Sequence, residues 1–578
     1  MAEPEKKEKS TWLKAAIAPL RRDFRTVFGA SAIINLLAIA APVFVLQVYD
    51  RVIFHAGMAT LYGLIVGMGV VILFDFLLRQ ARARLLQDVA LRIDVSVGRR
   101  LFKKLLALPL GVLESRPRAY WLALQRDVDS VRNLFSGATA VLVADLPFAL
   151  FFATIIIVIA PPIAWVLLIM LPAFVGVGWL SARNVTKAGA RERAAGIDRD
   201  ATLSEMAGAW DTVKGLALDK AIEGEWEARH ATTLEQSIHR GSRADTFLNL
   251  SLMLGVAATV LITSVGAIAI LEQKMTIGAL IAANMLAMRL VSPFQQITML
   301  WRNYASTRQA MARLDEVFAL EEERGETAIH LERPNGKLSL NGVAFSYEED
   351  APPLIRDMRL NIEPNGLYGL VGVNGSGKTT LMKILLGLYG PSDGSVQIDG
   401  IDIAQIGRED RAKWYGYLPQ DCRLFTGTVR ENIVRGRENI VDQNVIDAAK
   451  RAGVHDTIIA LPDGYGTHVA EAGGNFSAGT CQRIALARAI VHDPVILLLD
   501  EPSAHLDHNG ERELSEMLAV LAADHTIVVA THSPALLSAC HSLLVIEAGR
   551  AKWAGTPKDI LPRLFSSIEA EPGAEGNK

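Results

Sequence analysis

Gly372-Val373-Asn374-Gly375-Ser376-Gly377-Lys378-Thr379 runs out of an apolar stretch, Leu367–Val373, and into a helical pattern from Thr380 to Leu388. Strand, glycine-rich loop and helix in that order are the context in which GxxxxGK(S/T) holds phosphate. Gly372, Gly375 and Gly377 let backbone N–H groups approach phosphate oxygens at the positive end of the helix. Asn374, Ser376 and Thr380 belong to the same cradle. Lys378 is placed to reach the β- and γ-phosphates, and Thr379 to hold Mg2+. Residues 336–565 therefore read as an α/β P-loop nucleotide-binding domain.

Further along, Val495–Leu499 is wholly apolar, as expected of a parallel strand covered on both faces, and it ends in Asp500-Glu501. Asp500 would bind Mg2+ directly or through water, and Glu501 would polarise the attacking water. Another strand, Thr526–Ala530, ends at Thr531-His532. His532 can donate a hydrogen bond to a γ-phosphate from there, although a histidine in that place also serves purely structural ends.

The other half of the chain is different. The whole sequence has 578 residues, 50% of them hydrophobic, and a mean hydropathy of +0.25. A bilayer-crossing helix needs ~20 mostly apolar residues. Six stretches qualify: Val27–Val48, Met58–Leu78, Thr139–Ala160, Ile163–Leu180, Phe247–Leu271 and Ile277–Leu300. The predicted fold is an all-α domain of six transmembrane helices (27–320) joined by a charged linker (321–335) to the nucleotide-binding domain, with a Glu-, Gly- and Pro-rich tail (566–578) expected to be disordered.

The second and fourth connections are long and rich in Arg and Lys, so the positive-inside rule puts them, both termini and the nucleotide-binding domain in the cytoplasm. Their periodicity, as in Leu85, Val89, Ile93 and Val97, predicts that they continue the spans as helices. In residues 1–26, basic side chains among apolar ones from Trp12 to Phe28 suit a helix at the membrane surface. Asp75, Asp145, Asn284 and Arg289 fall within or near spans. They read either as a polar substrate path or, for the two aspartates, as solvated helix ends. Three scattered cysteines, Cys422, Cys481 and Cys540, suggest neither disulfides nor zinc.

Together these motifs resemble the ATP-binding-cassette exporters over almost the whole chain. The resemblance implies that Tyr347 stacks on adenine, that Gln420 senses Mg2+ and the γ-phosphate, and that Glu471 lies in the exporter X-loop. It also implies that Phe476-Ser477-Ala478-Gly479-Thr480 stands where LSGGQ would be, with Ser477 and Gly479 facing the ATP of a second cassette. One cassette per chain implies a dimer, an ATP-driven transport cycle of alternating access, and a multi-pass protein.

Asn35-Leu36-Leu37, Leu46–Val52, Asp127–Asn133, Asp145-Leu146-Pro147-Phe148 and Thr276–Asn284 narrow the resemblance to type I protein secretion transporters of the bacterial inner membrane. Those export unfolded polypeptides with a periplasmic adaptor and an outer-membrane pore. Some carry an N-terminal peptidase-like domain, for which residues 1–26 leave no room. Lipid or small-molecule export is the alternative. Six spans, in contact with membrane lipid, exclude a soluble nucleic-acid-associated cassette.

The sequence departs from the pattern at Phe476, Ala478 and Thr480 and in the D-loop, Ser503-Ala504-His505-Leu506-Asp507. Both elements serve the partner's ATP, whereas this chain's own P-loop, Gln420, Asp500, Glu501 and His532 are intact. That asymmetry points toward one half of a heterodimer. Drift within a homodimer, or a regulatory membrane ATPase, are the other readings.

Overall fold

The computed structural model describes residues 11–323, 332–348, 351–437 and 439–569. The charged first ten residues, most of the linker and the tail from 570 lie outside them. The chain forms two compact units, one of residues 1–106 and 116–320, the other of 107–115 and 321–578.

Among the described residues, the first unit has six helices long and apolar enough to cross a membrane. The second span is the start of a single 50-residue helix, Met58–Ala107. At 1.5 Å per residue it is about 75 Å long, more than twice the hydrocarbon thickness. Ala164–Gly208 and Asp219–Leu271 overrun their spans in the same way, so the long connections are helical as expected. The third span is split into Gly137–Asp145 and Phe148–Ile159. Pro147, with no N–H to donate, marks the break.

Polar groups in this unit meet across helices. Arg82, 4% exposed, donates to Asp145 Oδ1 at 2.8 Å and to Ser31 Oγ at 2.9 Å. Asn35 Nδ2 donates to the same carboxylate oxygen at 3.0 Å. Asp145 ends its helix, and its charge is shared with Arg82 and Asn35 on two other helices. Asp50 accepts from Thr276 Oγ1 (2.6 Å) and from the Gly278 N–H (3.0 Å). A Cβ on Gly278 would lie 2.6 Å from that carboxylate, which is why glycine stands there. Asp127 and Arg313 form a two-pronged pair at 2.5 and 2.7 Å. Asp75 pairs with Arg79 one turn on, at 2.7 Å, and Asn284 donates to Thr263 Oγ1 at 3.1 Å.

The amphipathic N-terminal segment packs part of its apolar stripe on the protein. Trp12, Ala16 and Leu20 are buried against Val89, Ile93, Leu124 and Leu314 of this same unit, and Trp12 Nε1 donates to Asp315.

The second unit contains a six-stranded sheet in the order Arg550–Gly555, Ser542–Glu547, Gly366–Val371, Thr526–Ala530, Ile496–Asp500, Tyr415–Leu418. Its inner strands pair in parallel and are apolar on both faces, with one core on each side. A smaller antiparallel sheet is built on Leu338–Phe345.

Replacing Arg82 by Met leaves Asp145 without its buried cation. The expected loss is on the order of 3 kcal/mol, read as a lower thermal midpoint of the detergent-solubilised chain. Adding Asp145→Leu should restore most of it, and an unchanged midpoint in Arg82→Met would refute the role given to the pair.

Candidate active site

Register in the larger sheet assembles the site. Ala530 pairs with Leu370 on one side and with Asp500 on the other. The ends of three parallel strands are thereby level, and the phosphate loop, Asp500-Glu501 and Thr531-His532 all leave the sheet at one edge. Leu418 is in register with Leu499, which sets the exposed Gln420 on the same edge.

The loop is shaped by its glycines. A Cβ on Gly372 would come within 2.4 Å of the Ile546 carbonyl, and Gly377 has φ of +100° as it enters the helix Lys378–Leu385. Lys378 folds back over the loop and donates to the carbonyls of Gly372 (2.7 Å) and Val373 (3.3 Å). Burial lowers its pKa, and Glu501 and Asp500 oppose that shift. Ser376 Oγ and Asp500 Oδ2 are buried with no hydrogen-bond partner among the described residues. Orphaned polar atoms at a loop and a strand end are what a phosphate and its cation would satisfy. Burial raises the Asp500 pKa, against the Thr379 hydroxyl and the Lys378 ammonium. No group of three or more His, Cys, Asp or Glu side chains among the described residues could hold a metal unaided. A Mg2+ ion at Thr379 and Asp500 would thus complete its shell with phosphate oxygens and water, its usual habit.

Glu501 is held in a left-handed conformation, φ +48°. Its N–H bonds to the Ala530 carbonyl at 2.8 Å, and its own carbonyl accepts from Gln482 Nε2 at 2.9 Å. An unfavourable backbone fixed from both sides aims the side chain. Glu501 Oε1 lies 3.6 Å from His532 Nε2. Burial raises the Glu501 pKa, with His532 and Lys378 opposing. Gln482 was visible in sequence only as part of the helix after the signature, because its tie to Glu501 spans the fold.

Tyr347 keeps 60% of its surface exposed, while its hydroxyl is fixed to Thr380 Oγ1 at 2.8 Å and its ring stands edge-on to Phe345 and Tyr389. A planar base can lie on the free face. The hydrogen bonds of Ser477 keep it with its own helix rather than with the phosphate loop. It caps Ala478–Ile490, accepting from the Thr480 N–H (3.1 Å), and its hydroxyl pairs with Thr480 Oγ1 (2.8 Å). Gly479 leaves space for the His505 carbonyl, which a Cβ would meet at 2.8 Å. The signature segment and the D-loop thus pack on each other at Gly479.

Two family models match: "ABC transporter transmembrane region" over residues 25–294 and "ABC transporter" over 355–504. Among curated proteins, the chain is 31% identical over 553 residues to the exotoxin translocation ATP-binding protein PaxB of Pasteurella aerogenes, and 30% over 553 residues to the alpha-hemolysin translocation ATP-binding protein HlyB of Escherichia coli. Each match covers 95% of this chain and 78% of the relative. Among solved structures, a bacterial Atm1-family ABC exporter with ATP bound superposes with a TM-score of 0.85 at 22% identity, covering 96% of this chain and all of that one.

Were Glu501 to act as a general base, it would do so only unprotonated. With the Glu501 pKa raised, kcat should fall as pH drops through a value above the ordinary carboxylate pKa of ~4.3. A pH–rate profile checks this, and an acid limb at or below that value would contradict it. Gln482→Ala, which strips the partner from the Glu501 carbonyl, should lower kcat about tenfold with little change in KM for ATP.

Proposed function

The chain belongs to the ABC transporter family, with transmembrane region and ATPase cassette in one polypeptide, and on that premise we propose that this exporter drives polypeptide secretion as the inner-membrane ATPase of a type I system. The observation that carries the reading is identity of about 30% sustained across both halves to toxin translocation proteins. Support also comes from the membrane patches Leu46–Val52 and Thr276–Asn284, which meet at Asp50.

In the proposed cycle the ammonium of Lys378 moves from the loop carbonyls to the β- and γ-phosphates. Thr379, Asp500 and Gln420 would hold Mg2+, whose charge offsets that of the phosphates. Tyr347 takes the adenine. Asn374, Gly375 and Thr380 complete the cradle. Glu501 accepts a proton from the attacking water, and His532 donates to the γ-phosphate. Ser477 and Gly479 of a second chain close the site. ATP binding joins the cassettes and turns the spans from inward to outward access, and hydrolysis resets them. The termini and cassette face the cytoplasm, with a periplasmic adaptor and an outer-membrane pore completing the route.

The comparisons give no support to a heterodimeric partner. The signature helix start is capped at Ser477, and Gly479 is spared. We therefore read the second chain as another copy of this one.

Purified alone in lipid nanodiscs, the chain should hydrolyse Mg-ATP, and Glu501→Gln should not. Hydrolysis that appears only when a different exporter chain is co-expressed would overturn the homodimer. In the native cell, deleting the chain should remove a polypeptide from the medium, and the Glu501→Gln chain should fail to restore it. A changed envelope lipid with an unchanged set of secreted proteins would refute the polypeptide reading.

A further inference from the structure

Residues 107–115 fall, by sequence, between two long helices of the membrane unit, yet they fold with the cassette. The segment makes one short helix, Leu110–Glu114. Leu110 packs into the cassette core. The Glu114 carboxylate accepts hydrogen bonds from the Tyr389 hydroxyl and, at 3.0 Å, from Lys383 Nζ. Lys383 belongs to the phosphate-loop helix and also sits 5.2 Å from the Tyr389 ring centre. Tyr389 is buried. Its ring stacks on Phe345 (5.1 Å, 20°) and meets the edge of Tyr347 (5.8 Å, 85°). Burial and the Glu114 charge raise the pKa of the phenol, keeping it a donor.

These contacts form a closed ring. Glu114 holds Tyr389, Tyr389 packs on Tyr347, Tyr347 is bonded to Thr380, and the helix that bears Thr380 also carries Lys383 back to Glu114. Tyr347 and the Glu114 carboxylate are its exposed members, and Tyr389 and Thr380 are buried. Tyr347 cannot tilt without shifting its edge contact on Tyr389 or losing its 2.8 Å bond to Thr380. A buried Tyr389 cannot shift without moving the oxygen that Glu114 accepts from, because packed interiors transmit displacement.

We propose that the base of the bound nucleotide, stacked on Tyr347, is sensed by Leu110–Glu114 through Tyr389 and its hydrogen bond to Glu114, so that this segment responds to adenine and not to triphosphate alone. The proposal rests on the reading of Tyr347 as the base platform. Coupling of this kind is reciprocal. Base stacking firms the Glu114 contact, and loss of Glu114 weakens ATP binding by the same factor, about fivefold at the low end of typical coupling.

The test uses the full chain in nanodiscs with Mg2+, in a Glu501→Gln background that prevents turnover. Hydrogen exchange across 107–115 is followed with saturating ATP and with saturating inorganic tripolyphosphate, which lacks the base. ATP should slow exchange about fivefold and tripolyphosphate should not. Glu114→Gln, and Tyr389→Phe, which keeps the ring stack, should each abolish the slowing and weaken ATP about fivefold, leaving tripolyphosphate affinity unchanged. Equal slowing by both ligands would overturn the proposal in favour of a signal through the phosphates and Lys383. ATP binding that depends on Tyr347 with no slowing at 107–115 would overturn the proposal alone. ATP affinity unchanged by Tyr347→Ala would remove the base platform, and the proposal with it.

Discussion

The backbone ladders on either side of Thr526–Ala530 carry the site. Parallel pairing fixes Leu370, Ala530 and Asp500 at one level. Three loops that are far apart in sequence then emerge where one small, highly charged ligand can touch them all. A slip of one residue in either ladder would turn every side chain of a strand to the opposite face. The strands are apolar on both faces and sealed by two cores, so burial by itself does not choose the register. The ladder and the loops at its end do. The bond from the Glu501 N–H to the Ala530 carbonyl extends that ladder by one residue into the turn at Glu501.

Charge in this site is arranged around a ligand that brings its own. Asp500 and Glu501 are both pushed toward protonation by burial, and Lys378 toward neutrality. The lysine's position over the loop carbonyls and the unpartnered Ser376 and Asp500 oxygens describe a cradle whose hydrogen bonds are only partly made within the chain. Desolvation of this kind costs stability and is kept where function uses it.

The membrane unit solves a different problem. Charges packed between helices need partners. The chain supplies them by bringing separated patches together: Asn35 with Asp145 and Arg82, Asp50 with Thr276 and Gly278, Asp127 with Arg313. Each patch reads as an isolated oddity along the sequence. In the fold each becomes half of a pair, which explains why a polar residue is tolerated at that place.

What the sequence determined is what local chemistry can write. Gly372–Thr379 specifies its own loop, because the positive φ at Gly375 and Gly377 and the close approach at Gly372 exclude other residues. Six apolar stretches announce six spans, and the apolar runs before Asp500 and Thr531 announce buried parallel strands. The tertiary structure decided what depends on distant partners. The amphipathy of the first helix was legible, but only the fold shows that Trp12, Ala16 and Leu20 bury against Leu314 and Ile93. Gln482 carries no motif of its own role, and Glu114 lies more than two hundred residues from the tyrosine that it holds. A hydrogen bond between residues so far apart leaves no periodicity and no spacing to read, since its geometry exists only once the intervening chain has packed.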